Sequence, residues 1–201
     1  MKLRYAAGSP FVRKVTVTAI ETGLDDRIER VETNYREPDS DFTRNNPLGR
    51  VPALLTDEGK PMIESSVICA YLDTLHGGPR LIPESGEARR EALWLEALAD
   101  GMTEAAVAVQ RERGRPEDIY WKPFETSNWT KVERALDAVN AEPALLEAPL
   151  HIGQVALACG LGWILFRMPD KLAGWEERWP AVASWYAEFS RRPSMQATAP
   201  R

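Results

Sequence analysis

The chain has few of the residues on which disulfide, redox and metal chemistry depend. Its 201 residues include two cysteines, Cys69 and Cys159, and two histidines, His76 and His151. The cysteines lie far apart in apolar helical segments, so we expect buried, inert thiols in a reducing compartment. Neither histidine has a partner at the spacing typical of metal ligands, and we therefore expect no metal.

Long apolar runs and an excess of positive charge are also absent. The most apolar run, residues 152–166, is shorter than the roughly 20 residues that span a bilayer. The first residues turn to Gly8 before any long apolar stretch, which argues against a signal peptide. A formal net charge of -5 argues against a nucleic-acid partner. We expect a cytoplasmic protein that binds neither membranes nor nucleic acids.

Several common catalytic motifs are missing as well. The sequence contains no Gly-x-Ser-x-Gly elbow, phosphate-binding loop or dinucleotide fingerprint. Ser9 and Val12 stand at the spacing of a Cys-x-x-Cys pair, which argues against disulfide reduction. Ser9 as the nucleophile of a catalytic triad would need a nearby histidine, and no sequence feature places one there.

The sequence pattern changes from mixed to helical near residue 77. Strand patterns at 2–6, 27–33, 53–55 and 61–63 alternate with helix patterns at 10–22 and 65–76, in the order βαβ and then ββα. A polar loop at 34–49 includes a short helix at about 39–44. Residues 77–86 are rich in glycine and proline and predict a linker. We therefore predict an α+β domain at 1–76 and an all-helical domain at 87–201.

The helical part contains four predicted helices, at 87–113, 125–146, 152–166 and 181–191. The third is apolar nearly all round, which is typical of a helix at the centre of a bundle. Pro193 is predicted to end the last helix.

Three short motifs carry polar groups that suit a small ligand. Ser9 precedes Pro10 where a strand gives way to a helix, so its hydroxyl lies at an anion-favouring helix N-terminus. Taken alone, this position favours an ordinary N-cap. Glu64 and Ser65 lie where a strand passes directly into a helix, and they suit an ammonium and a carboxylate respectively. Helix capping is the alternative there too.

The third motif is the Val51-Pro52 pair at the entrance to a strand. With a cis bond, the backbone of Val51 can pair with an extended peptide. A trans proline at an edge strand is the alternative.

The order and spacing of these motifs resemble those of the glutathione transferase family, most closely its small bacterial members with an active serine. The likeness covers essentially the whole chain and rests on residues 9–14, 46–52 and 64–65. It implies a thioredoxin-like N-terminal domain, an all-helical C-terminal domain, a cis bond before Pro52, glutathione as co-substrate and a homodimer.

The resemblance also implies roles for individual residues. Ser9 is the catalytic donor to the sulfur of glutathione. The backbone of Val51 pairs with the cysteinyl unit, while Glu64 and Ser65 hold the γ-glutamyl end. Arg50 lies near the glycyl carboxylate. The full implied set of glutathione-binding residues is Ser9, Phe11, Arg50, Val51, Pro52, Glu64 and Ser65.

These roles predict conjugation of glutathione to small hydrophobic electrophiles, a detoxification reaction. The thiolate is the nucleophile, and both a hydroxyl donor and a helix N-terminus stabilise it. The electrophile is expected against the helical domain, where the candidate residues are Met102, Arg111, Arg113 and Trp163. The alternative is a binding or regulatory member of the family with little catalysis, since one fold hosts both.

Two positions depart from the family pattern or compete with it. The central helix usually begins with Ser or Thr followed by Asp three residues later, a capping arrangement. Here His151 and Gln154 occupy those positions, and we expect histidine to be a poor cap. Tyr5 is a second possible sulfur partner, but its place in the first strand favours packing.

Overall fold

The computed structural model describes residues 1–34, 42–43 and 46–200. The short helix predicted at about 39–44 lies largely outside these described residues. The order of the elements confirms the predicted fold class, a mixed four-stranded sheet with helices followed by a helical part.

The sheet has the strand order β2-β1-β3-β4. Strand β1 (Lys2–Tyr5) pairs in parallel with β2 (Glu29–Glu32) and antiparallel with β3 (Ala53–Leu55). Strand β4 (Pro61–Ile63) closes a hairpin with β3. A parallel pair needs a crossover connection, and helix α1 (Pro10–Glu21) supplies it.

Helix α2 (Ser65–Leu72) follows β4 and packs with α1 against the sheet. It ends four residues before the predicted position 76. The carboxylate of Asp73 explains this end, because it accepts hydrogen bonds from the backbone N–H groups of Leu81 (2.7 Å) and Ile82 (3.1 Å). Asp73 thereby ties the end of α2 to the segment at 77–86, whose role as a domain linker stays a prediction.

The helical part contains more helices than the sequence pattern predicted. The segment predicted as one helix at 125–146 breaks before Pro143. Pro193 begins a helix instead of ending one, because proline is compatible with a first helical turn. The helices are α3 (Gly86–Arg113), α4 (Lys122–Ala141), α5 (Ala144–Glu147), α6 (Ile152–Arg167), α7 (Trp175–Arg178), α8 (Pro180–Phe189) and α9 (Pro193–Ala197).

Helix α6 lies at the centre of the molecule, as its sequence predicted. Its residues contribute to both hydrophobic clusters, one around the sheet and one among the helices. Gly153 permits a close approach to the backbone of α3, because a Cβ atom there would lie 2.7 Å from the carbonyl oxygen of Ala92. Among the described residues, no helix is long and apolar enough to cross a membrane.

The start of α6 corrects the expectation that His151 is a poor cap. Its Nδ1 accepts a hydrogen bond from the Gly153 N–H (3.2 Å), while Nε2 donates to the carbonyl of Leu145 (3.3 Å). The side chain of Gln154 accepts in turn from the His151 N–H (3.3 Å). The buried imidazole thus fills the capping role in its neutral form.

Candidate active site

Ser9 is the N-cap of α1. Its backbone is extended (φ -89°, ψ 122°) and its Oγ accepts a hydrogen bond from the Val12 N–H at 3.3 Å. The hydroxyl hydrogen is not used in that bond, so it can donate to a second group. Ser9 also lines a cavity of about 580 Å³ between the sheet-containing half and the helical half. Capping and ligand binding are therefore compatible at this residue.

The helical half holds the loop before Ser9 in place. The indole Nε1 of Trp163, on α6, donates a hydrogen bond to the Gly8 carbonyl oxygen at 3.0 Å. One turn into α1, Arg13 donates to the Met195 carbonyl (3.1 Å) and to Oγ1 of Thr198 (3.3 Å). The first turn of α1 is thus fixed both by the central helix and by the C-terminal segment.

A smaller cleft of about 60 Å³ adjoins the cavity and shares Phe11, Arg50, Val51 and Glu104 with it. Pro52, Glu64 and Ser65 also line the cleft. The Val51-Pro52 bond is cis, as the resemblance implied. All seven residues expected to bind glutathione therefore line the cavity, the cleft or both.

The cleft is also lined by Asn46, a residue to which the sequence analysis assigned no role. Asn46 is buried, and its Nδ2 donates to the Arg50 carbonyl at 2.6 Å, while its Oδ1 accepts from the Leu48 N–H at 3.1 Å. These bonds fix the loop that presents Arg50 and Val51. The Asn46-Pro47 turn signal marks the loop in the sequence.

Glu64 has a backbone conformation that is unusual for a residue with a side chain. Its φ is 67° and its ψ is 131°, in a region populated almost only by glycine, and such strain clusters at ligand sites. The conformation lets β4 pass into α2 without a loop and places the carboxylate of Glu64 beside the start of α2. Ser65, the first residue of that helix, is buried.

Comparisons with known proteins show what this chain is similar to. Residues 8–75 match the family model described as glutathione S-transferase, N-terminal domain. A glutathione transferase family member from Pseudomonas fluorescens Pf-5, solved with bound glutathione, is 40% identical with a TM-score of 0.94, over 100% of this chain and 98% of that one. The chain belongs to the glutathione transferase family.

Two further relatives are informative. A second structure from Pseudomonas fluorescens Pf-5, with bound S-(propanoic acid)-glutathione, is 39% identical with a TM-score of 0.91 over 100% of both chains. The uncharacterized GST-like protein YibF of Escherichia coli is 28% identical over 100% of this chain and 98% of its own length.

In this glutathione transferase family member, the larger cavity brings together two of the four residues predicted for the electrophile. Arg111 and Trp163 line it. Met102 is 2% exposed and packs in the helical core. Arg113 points to Asp170, with which it forms a bidentate ion pair (Nη2 to Oδ2, 2.9 Å).

The sequence analysis did not select two charged residues of the same cavity, Glu104 and Arg167. Glu104, Val107, Ala108 and Arg111 recur at helical spacing on one face of α3, a signal that the sequence contains. Arg167 is the last residue of α6, and no comparable pattern in the sequence indicated that it would line the cavity.

Other candidate groups lie away from the cavity. Tyr5 is partly buried and packs against the core around the sheet. Burial raises the pKa of the Cys69 and Cys159 thiols to about 12, so both stay protonated. No group of three or more His, Cys, Asp or Glu side chains in the described part of the chain is arranged to hold a metal ion.

Proposed function

We propose that the chain is a glutathione transferase that activates the thiol of glutathione at Ser9 and transfers it to a small hydrophobic electrophile. The observation that carries this proposal is the position of Ser9. Its hydroxyl opens onto the cavity, while Arg50 and Val51 join that cavity to the cleft of Glu64 and Ser65. A tripeptide in the cleft would have its thiol beside Ser9.

The local groups favour the thiolate form of the bound tripeptide. A free thiol has a pKa of about 8.5 and is mostly protonated at neutral pH. A hydrogen bond from Ser9 Oγ and the positive dipole end at the N-terminus of α1 both stabilise negative charge on sulfur. The thiol proton leaves to solvent, and a sulfur lone pair forms the new bond to the electrophilic carbon. At the same carbon, either the bond to a leaving group breaks and that group departs with its electron pair, or a π bond opens and the resulting carbanion takes a proton from solvent.

The cavity suits an apolar second substrate. Pro10, Phe11, Val107 and Trp163 form its apolar walls beside Ser9. A relative that holds an S-substituted glutathione supports a role in which a conjugate forms at this place. Detoxification, a cytoplasmic location and a homodimer follow from the family resemblance and belong to this proposal. Gel filtration of the full chain tests the dimer.

The deciding experiment titrates the thiol of bound glutathione by the ultraviolet absorbance of its thiolate. In the wild type we expect a pKa about one to two units below that of free glutathione. In Ser9→Ala, the thiol pKa should rise most of the way back to that of free glutathione, with little change in the affinity for glutathione. Ser9→Thr, which keeps the hydroxyl, should restore part of the shift.

Two outcomes separate the alternatives. If glutathione binds but the pKa of its thiol does not change, the catalytic proposal is overturned. The chain would then be a binding or regulatory member of the family. A protein that does not bind glutathione at all would overturn both roles.

A further inference from the structure

The charge of the larger cavity is opposite to that of the whole chain. Three arginines, Arg50, Arg111 and Arg167, line it together with one carboxylate, Glu104. The chain has a formal net charge of -5. A positive pocket on an acidic protein concentrates anions locally.

The proposed function gives two of these arginines no part in binding glutathione. The family resemblance implies that Arg50 lies near the glycyl carboxylate, and Arg50 lies where the cavity and the cleft meet. Arg111, in the last turn of α3, and Arg167, at the end of α6, line the cavity and not the cleft. Their positive charge is therefore available to the second substrate.

Arg111 and Arg167 are both exposed, and neither forms an ion pair with a carboxylate of residues 1–34, 42–43 or 46–200. Arg113, two residues after Arg111, shows the contrast, because Asp170 neutralises it. The guanidinium of Arg167 lies 5.0 Å from the ring centroid of Phe166. It also lies beside Ser9, since a Cβ atom on Gly8 would come within 3.0 Å of its Nη2.

We infer that the second substrate of this site is an electrophile with an apolar body and a carboxylate, which Arg111 and Arg167 hold. This inference rests on the proposed function. The body packs against Trp163 and Val107 with its reactive carbon near Ser9. Guanidinium groups bind carboxylates through paired, charge-assisted hydrogen bonds. Glu104 repels the anion and so favours its placement at the two arginines.

The chemistry of transfer leaves the carboxylate unchanged. With a chloronitrobenzoate, the glutathione thiolate attacks the ring carbon that carries chlorine. The carbon–sulfur bond forms, and the carbon–chlorine bond breaks as chloride leaves with its electron pair. The carboxylate only fixes the orientation of the ring.

The first test measures binding without turnover. Calorimetry compares S-(carboxyethyl)glutathione with S-(carbamoylethyl)glutathione, which has the same shape but carries an uncharged amide on its S-substituent. We expect the acid to bind about tenfold more tightly at low salt. Arg111→Ala and Arg167→Ala should each remove most of that preference, and Arg111→Lys should keep part of it. Arg134→Ala, which removes an exposed charge of α4 outside the cavity, should keep it fully.

The outcomes separate this inference from the proposed function. Equal affinity for the acid and the amide would overturn the inference while the thiol titration still stands. A preference that survives in both Arg111→Ala and Arg167→Ala would overturn the assignment to these residues. If the protein binds neither the acid, nor the amide, nor glutathione itself, the proposed function is overturned.

The second test measures turnover of a chloronitrobenzoate and of the matching chloronitrobenzamide, each divided by its uncatalysed rate. Arg111→Ala should lower kcat/KM for the acid about tenfold more than it lowers kcat/KM for the amide. Arg167→Ala could instead lower kcat/KM equally for the acid and the amide and raise the pKa of the bound thiol. That result would show that Arg167 stabilises the sulfur of glutathione, and it would overturn the role of Arg167 in holding the carboxylate.

Discussion

The ammonium group of Lys14 donates a hydrogen bond to Oδ2 of Asp100 at 2.6 Å and so joins α1 to α3. Lys14 is 1% exposed, and Glu96 accepts from it at 3.1 Å. Burial alone would lower the pKa of Lys14, but the charges of Asp100 and Glu96 outweigh it and raise that pKa. The lysine therefore stays charged between the two halves.

Removing this charge should destabilise the fold strongly. Lys14→Met leaves Glu96 and Asp100 without a cation, and we expect a loss of about 3–5 kcal/mol in the free energy of unfolding. Urea denaturation measures it. Lys2→Met, which breaks an exposed pair with Glu29, should cost less than about 1 kcal/mol. Equal costs for the two variants would contradict the role of the buried cluster.

Glu64 should separate binding from stability. Glu64→Gly relieves the positive φ, so we expect an unfolding temperature equal to or above that of the wild type. The same variant loses the carboxylate and should bind glutathione at least about tenfold more weakly. Glu64→Gln keeps the side-chain shape and the strain, and should lose affinity without gaining stability. If both variants bind glutathione as tightly as the wild type, Glu64 has no role in binding glutathione.

His151 should make the stability fall in mild acid. Burial lowers the pKa of His151 below its ordinary value of 6.5. Between pH 6.5 and the lower pKa of the folded state, the unfolded chain binds a proton at His151 that the folded chain does not bind. The free energy of unfolding should therefore decline by up to about 1.4 kcal/mol per pH unit until the folded pKa is reached.

His151→Asn is the control for this effect, because asparagine is a good N-cap that does not titrate. The difference between the two stability curves cancels the carboxylates that both proteins share. A constant difference between about pH 7 and pH 5 would show that the imidazole does not titrate on unfolding.

Two glycine-to-alanine variants should have opposite effects. A Cβ atom at Gly153 would lie 2.7 Å from both the Ala92 carbonyl oxygen and the Leu95 Cβ, so α6 and α3 would have to separate. We expect Gly153→Ala to cost about 3 kcal/mol. Gly101, inside α3, has nothing within 4 Å of that position, and Gly101→Ala should stabilise by about 0.5–1 kcal/mol. Thermal unfolding of both variants measures the contrast, and a stable Gly153→Ala would contradict this packing.

The parts of the fold that could be predicted from sequence are those with local signals. The β3–β4 hairpin lies where its turn residues 56–60 indicated, because turn chemistry is local. The end of α2 was predicted four residues late, because its apolar pattern continues to Leu75 while Asp73 bonds to distant backbone. Pro143 signals a helix break in the sequence, but the apolar residues on both sides of it led to the prediction of one continuous helix.

The candidate site divides in the same way. The cleft proposed to bind glutathione is built from short motifs whose residues are close in sequence, so the resemblance could point to its residues. The cavity proposed for the electrophile depends on how α3 and α6 are rotated against each other, which tertiary packing decides. That rotation places Arg111 in the cavity and Met102 in the core, and it brings in Arg167 from a helix end.

The hydrogen bond from Trp163 to Gly8 limits how freely the two halves can be recombined. A chimera that joins residues 1–85 to the helices of a relative would import a new electrophile pocket in one step. It would also discard the donor that holds the Ser9 loop, unless the relative has an indole at the same place. Exchange of the helical half therefore alters the wall of the larger cavity and the support of the Ser9 loop together, because Trp163 contributes to both.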